Sequence, residues 1–216
     1  MPGARAATGT GPAGTQQGTA SESADIALFP LGTVLFPAGP LPLRIFETRY
    51  IDLVRRCLRE NSGFGVVLIT EGAEAGSAAP QTADIGCYAT IVDFSQQPDG
   101  LLGIQVMGGR RFRILDRWQA ADGLNLASVA WLPDDAPVAL PEEFAELVPV
   151  LDNVLDQIGG EYAALERHFD DATWVGARLA EVLPVPAEHK QHCLELDDPI
   201  ERLRYLRPLF EIAPPS

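Results

Sequence analysis

Apolar positions in this chain follow three rhythms in turn, and each predicts a different kind of element. Residues 25–45 (DIALFPLGTVLFPAGPLPLRI) are mostly apolar but broken by Pro30, Pro37, Pro40 and Pro42. Proline removes a backbone donor and fixes φ, so these residues cannot all sit inside a central sheet; short, interrupted strands lining a barrel or groove are expected. From Phe46 to Arg59 the spacing turns helical, with Phe46, Tyr50, Leu53, Val54, Cys57 and Leu58 three or four residues apart. Asn61-Ser62-Gly63 should end that helix, Gly63 supplying the positive φ. FGVVLIT (64–70) is a continuous β-branched run, hence a buried strand, and 71–82 is a polar, small-residue loop. A meander follows: strands 85–94 and 101–107 flank a hairpin loop (95–100) that ends in Asp99-Gly100. Gly108-Gly109 then leads into a further strand, 110–118, with Phe112, Ile114 and Asp116 on one face, and 126–132 is the last strand. Trp118 is too apolar to be left exposed without reason, and Trp131 should cap the barrel end beside the linker.

Beyond the proline- and aspartate-rich linker at 133–141 the pattern is helical throughout. Phe144, Leu147, Val148, Leu151, Val154, Leu155 and Ile158 form a stripe that Gly159-Gly160 closes and Pro149 should kink. Residues 173–183 and 187–196 are two further helices. Asp198-Pro199-Ile200-Glu201 then marks a start, with an Asp cap, Pro at the first position and Glu at the third. The last helix should bury Ile200, Leu203, Leu206 and Phe210. The chain therefore divides into a disordered Gly/Ala/Thr-rich tail (1–24), a β-barrel part with one embedded helix (25–134) and a helical part (135–216).

Charge narrows the partners. Thirty acidic against 16 basic residues give a net charge of −14, which repels nucleic-acid phosphates and anionic lipid. Arg110, Arg111 and Arg113 are the densest basic run, but strand alternation divides them between two faces. Three widely spaced cysteines (Cys57, Cys87, Cys193) fit reduced thiols in a cytoplasm, and no apolar run is long enough to span a membrane.

Candidate chemistry is sparse. Lys190 is the only lysine, and it stands between His189 and Gln191 rather than in the glycine-rich loop that cradles phosphates. No serine lies in a nucleophile elbow. His189, His192 and Cys193 have a spacing that could gather metal ligands on a helix, but no companion cluster accompanies them. The pairs Asp134-Asp135, Asp170-Asp171 and Asp197-Asp198 fit caps and turns better than acid/base work. No catalytic, cofactor-binding or metal-binding residue is assigned.

The order of motifs carries a resemblance. Phe29-Pro30-Leu31-Gly32-Thr33-Val34-Leu35-Phe36-Pro37 comes first, then Leu41-Pro42-Leu43-Arg44-Ile45-Phe46-Glu47 with Arg49-Tyr50. Ile85-Gly86-Cys87, Asp99-Gly100, Gly108-Gly109-Arg110-Arg111-Phe112-Arg113-Ile114 and Leu179 to Pro184 with Lys190-Gln191 complete it. Together they resemble the Lon substrate-binding domain family, the N-terminal domain of Lon protease that also occurs as a stand-alone bacterial protein. The resemblance covers roughly residues 25–210. It implies an α+β fold: a PUA-like β pseudo-barrel with one embedded helix, followed by a C-terminal helical subdomain. It also implies a non-catalytic module that binds unfolded or apolar polypeptide segments and has a protease or chaperone as a further partner, without the ATPase and protease of full-length Lon. Phe36, Pro37, Leu41, Leu43 and Phe46 are the candidate peptide-binding residues, although barrel core is the safer reading of Phe36, Leu43 and Phe46. The expected site is a hollow between barrel and helices with apolar walls and an acidic rim, gripping extended segments through strand edges and pockets. The alternatives are an enzyme acting on a small molecule in that cleft and an RNA-binding PUA-like module. Sequence leaves the oligomeric state open.

Overall fold

The structure, a computed structural model, describes residues 22–72, 80–97 and 100–212, with side chains through 209. Most of the expected tail lies outside these residues, as do residues 73–79 of the polar loop, Pro98-Asp99 of the hairpin and the side chain of Phe210. Seven strands come first: β1 (Ser23–Leu31), β2 (Pro40–Ile45), β3 (Phe64–Glu71), β4 (Gln81–Thr82), β5 (Ile85–Gln96), β6 (Leu102–Gln119) and β7 (Asn125–Trp131). Helix α1 (Thr48–Glu60) lies between β2 and β3. Four helices follow the strands: α2 (Leu147–Ile158), α3 (Ala172–Val182), α4 (Ala187–Glu195) and α5 (Pro199–Ile212).

A change of partner within β1 closes the sheet. Its first half, beginning at Ser23 inside the expected tail, pairs antiparallel with β7; its second half, Leu28–Leu31, pairs parallel with β3. The neighbours then run β1, β7, β6, β5, β3 and back to β1, a ring with β2 and β4 attached outside it. Pro30 pairs opposite Val67. Strand alternation sends Leu28, Val67, Phe112, Ile114, Ala127 and Val129 into the ring as one buried cluster. Phe112 occupies the middle, fully buried. A side chain at Gly65 or Gly86 would place its Cβ 2.6 Å from the tip of that ring, so both facing positions are glycine. Trp131 closes the end of the ring, edge-on to Tyr88 (5.4 Å) and Phe112 (6.2 Å), with the Arg110 guanidinium over its face.

The outward face of the ring is covered twice. On one side α1 buries Tyr50, Leu53, Val54 and Cys57 against Phe29, Ile45, Phe64, Ile104 and Val106. Elsewhere Val34, Phe36, Leu68, Ala83 and Ile85 share one cluster with Phe144, Leu151, Leu155, Val175, Leu179 and Leu203 of the helical segments.

Several local expectations change: Gln81–Thr82 of the expected loop form β4, and β5 runs on to Gln96 of the expected hairpin loop. β6 is a single strand of 18 residues rather than two strands broken at Gly108-Gly109. Gly108 is needed for a crossing: Ala38 N–H donates to its carbonyl, its own N–H donates to Gly39, and a Cβ there would lie 2.0 Å from the Phe36 carbonyl oxygen. Helix α1 ends on Asn61, whose φ of 49° takes the left-handed position expected of Gly63. The stripe from Phe144 to Ile158 divides into a 3-10 turn (Glu142–Phe144) and α2, so Pro149 falls in the first turn of α2. Its missing N–H would have no partner there in any case, and no kink is required. The start of α5 is as expected, with Asp198 accepting from Ile200 N–H at 2.8 Å.

Candidate functional site

The junction between ring and helices was the expected hollow, and it is largely filled by the protein's own side chains. Phe36 is fully buried there. Arg178 of α3, also fully buried, donates to the carbonyls of Pro37 and Ala38 and pairs with Glu181, its Nη2 lying 2.9 Å from Oε1. Ala38 has a φ of 56°, a conformation that costs a residue with a side chain about 1–2 kcal/mol, so the turn at 36–39 exists because these contacts hold it. Gly39 makes room for the pair: a Cβ there would lie 1.8 Å from Glu181 Oε1.

Burial pushes the Glu181 carboxyl up to about 7, against the opposing pull of Arg178, Lys190, the Tyr162 hydroxyl and the Phe36 N–H. Lys190 Nζ donates to the Glu181 carbonyl (2.6 Å), and burial lowers the pKa of that lysine. A second buried knot surrounds Arg111, which binds the carbonyls of Leu194 and Leu196, Asp135 (2.6 Å) and Asp197 (2.9 Å). Arg202 reaches the same Asp135 and the Cys193 and Leu196 carbonyls.

What stays open at this junction is a cleft of about 380 Å³ between Pro37-Ala38, Gly108–Arg111, Pro133–Asp135 and the start of α3. Its carboxylates are committed. Asp134 pairs with Arg110, Asp135 with Arg111 and Arg202, and Asp171 caps α3 by accepting from Thr173 N–H (2.9 Å). Of the expected acidic rim, Asp135 and Asp171 are tied to buried partners, while Asp134 keeps an exposed pair with Arg110.

Exposed apolar surface collects elsewhere. Beyond the ring, β5, β6 and β2 continue as a three-stranded projection in which Leu43 lies opposite Ile104 and Ile104 opposite Phe94. These three share one face, and α1 packs over only part of it. Phe94 is 60% exposed, Phe46 58% and Leu58 44%. Three hollows border the projection, two on this face and one on the other. One of about 510 Å³ lies between α1 and the hairpin, with Ile45, Ile51, Leu58, Phe94 and Leu102 in its walls. A second, of about 340 Å³, is walled by the end of β1, by Pro42–Phe46 and by Tyr50. The third, about 530 Å³, lies on the more polar side of the projection and shares Leu43 and Phe94.

Residues 25–210 match the ATP-dependent protease La (LON) substrate-binding domain. The chain belongs to this family. A crystal structure of a Lon N-terminal domain protein from Xanthomonas campestris is 37% identical and superposes with a TM-score of 0.71, over 86% of this chain and 98% of that one. The Lon protease of Haemophilus influenzae is 26% identical over 189 residues, 82% of this chain and 23% of that protein. Cereblon of Xenopus tropicalis is 26% identical over 101 residues, 47% of this chain and 22% of that protein. The chain thus spans less than a quarter of the length of these curated relatives. Among its described residues no helix is long and apolar enough to cross a membrane.

The Lon-domain motif segment divides between the two regions. Of its candidate residues, Phe36 is junction core, a correction to its reading as an exposed anchor: the turn at 36–39 folds down onto β6 and the helices close over it. Pro37 lines the junction cleft, and Leu41 packs half-buried on the α1 side of the barrel core. Leu43 and Phe46 do reach the outer hollows. Leu58, read in the sequence only as part of the helical stripe, and Phe94, read only as the end of a strand, complete that surface. The available signal was position: Leu58 stands at the margin of its helical stripe between Arg55 and Arg59, and Phe94 borders a polar hairpin. Arg178 and Glu181 had a signal too, as charges inside the apolar run TWVGARLAEVL.

The histidines and the cysteine of α4 point apart. His189 and His192 lie against Tyr205, whereas Cys193 is in the core. All three cysteines are buried and unpaired, and burial raises their thiol pKa values, that of Cys193 to about 11. Trp118 is 39% exposed and, with Leu28, Pro30 and Leu126, lines a hollow of about 250 Å³.

Proposed function

We propose that this Lon substrate-binding domain is a non-catalytic module that binds unfolded or apolar polypeptide segments on the outer surface formed by β2, α1 and the β5–β6 hairpin. The observation that carries this reading is the pair of neighbouring hollows that share Ile45, with Phe46, Leu58 and Phe94 exposed on their walls. Large apolar side chains gathered around concavities are what a peptide-binding surface requires, and nothing in the core's packing needs them outside. The closed ring supports the PUA-like description of the fold, with residues 25–134 as the barrel part and 135–216 as the helical part. A cytoplasmic setting fits three buried free thiols, and a protease or chaperone would receive the bound segment.

The test is binding of an unfolded, casein-like chain against a folded control, with the intact protein and with Leu58→Ser/Phe94→Ser. Selective binding of the unfolded chain, lost in the variant, is the expected result. Equal binding of both chains, or binding unaffected by the double substitution, would overturn the assignment of this surface.

A further inference from the structure

Resting on that reading, the geometry points to a narrower class of partner: we propose that the hollow between α1 and the hairpin takes an acidic amphipathic helix. Two observations decide the shape of the occupant and one decides its charge.

A strand added to the projection would need donors and acceptors along an open edge. Among the described residues β2 pairs only with β6. It carries proline at two alternate positions, Pro40 and Pro42. Alternate residues direct their N–H groups to the same side of a strand, and the ladder with β6 uses the other side. The outer edge of β2 is therefore left with carbonyls and at most the N–H of Arg44. The opposite edge, on β5, is blunted differently. Its register shifts between Ile91 and Asp93, and the Phe94 N–H is taken by the Asp93 carboxylate at 2.8 Å. Neither edge is a template for an extended chain. A helix satisfies its own backbone and asks only for side-chain contacts, which the hollow of about 510 Å³ offers through Ile45, Ile51, Leu58, Phe94 and Leu102.

Charge complementarity sets the sign. Helix α1 exposes Arg55, Arg56 and Arg59 against Asp52 and Glu60, in a chain whose net charge is −14, while Arg49 is held by Glu47 and the Gly123 carbonyl. Arg55 lines the hollow, and Arg59 lies one turn further along the same exposed face. Their partners, Asp52 at 3.1 Å and Glu60 at 3.2 Å, are exposed ion pairs that a ligand carboxylate can replace at little cost. The acidity of the remaining surface acts only over about 8–10 Å at physiological salt, so these nearby arginines dominate at contact.

The test uses three labelled peptides of one amphipathic pattern: glutamates flanking the apolar stripe, lysines in their place, and serines replacing the stripe. Binding is read by fluorescence anisotropy at two salt concentrations and helix formation by circular dichroism. The glutamate peptide should bind roughly tenfold tighter than its lysine twin, the worth of two exposed charge pairs. It should gain helix on binding and weaken as salt is raised, and Arg55→Glu/Arg59→Glu should reverse the preference. Equal binding of the two charged peptides, preference for lysine, or binding without helix would overturn this inference and leave the polypeptide-binding reading standing. If neither these peptides nor the unfolded chain bind, both fall. Arg55 and Arg59 are exposed, so the charge-reversal variant tests the surface without disturbing the core.

Discussion

The junction between ring and helices and the outer face beside α1 both began as candidate binding surfaces, and the protein has treated them in opposite ways. At the junction, charged groups are buried and tied to one another: Arg178 to Glu181 and two carbonyls of the 36–39 turn, Arg111 and Arg202 to Asp135. On the outer face the charges stay in water and the apolar groups are exposed, with Phe94 at 60% and Phe46 at 58%. Burying a charge is tolerable only with partners, and these arginines each hold a carboxylate and backbone carbonyls, which ties the region to one geometry. Exposed apolar groups around a hollow have no such commitments. The difference teaches that ionisable groups at the junction serve the structure, and that the surface proposed for binding is one where charges stay solvated and apolar groups stay exposed.

Substitutions can break that contrast. The largest effect should come from Arg178→Met, which leaves the Glu181 carboxyl and two carbonyls without their donor. Removing one partner of a buried pair costs about 3–5 kcal/mol, to be read as a fall in the urea midpoint, and a shift too small to measure would mean the junction is not held by this network. Gly39→Ala should follow, because its Cβ would lie 1.8 Å from Glu181 Oε1; overpacking of this kind costs about 1–3 kcal/mol. The same urea titration checks it, and an unchanged midpoint would show that the pair can move aside.

Glu181→Gln sharpens the comparison through pH. The folded-state pKa of Glu181 lies at about 7, above its ordinary 4.5, so the folded protein holds a proton that the unfolded chain has already released. That group's contribution is complete below pH 4.5 and is lost as pH rises through 7, with a slope of up to about 1.4 kcal/mol per pH unit. Urea melts across this range should show the slope in the parent and a flatter profile in Glu181→Gln, whatever the offset between them. Parallel profiles would mean Glu181 is ionised throughout. The smallest stability effect belongs to the outer face. Leu58→Ser and Phe94→Ser should each change stability by no more than about 0.5 kcal/mol while removing binding, and a large loss in the melt would make these residues structural instead.

Much of the fold was legible because its signals are local. The period of three to four from Phe46 to Leu58, the β-branched run at 64–70 and the Asp198-Pro199 start each report the element that contains them. Misreadings occurred where a glycine or proline answered a distant demand. Gly108 looks like a break until Phe36 is seen lying across it, and Pro149 looks like a kink until the helix is found to begin at Leu147. The candidate site was half legible: Leu43 and Phe46 reach the outer hollows, Phe36 does not, and Leu58 and Phe94 join them only through the packing of α1 beside the hairpin.

By itself, then, the sequence determined the family and the place of most strands and helices, because these depend on residue type and on spacing along the chain. Which apolar residues are core and which are surface was decided only by tertiary structure. Phe36 and Phe46 stand ten positions apart in one motif-bearing stretch with the same side chain, yet one is fully buried and the other 58% exposed. Burial is a property of what folds over a residue. For Phe36 that cover comes from helices more than a hundred residues further along the chain, a distance across which local pattern carries no information.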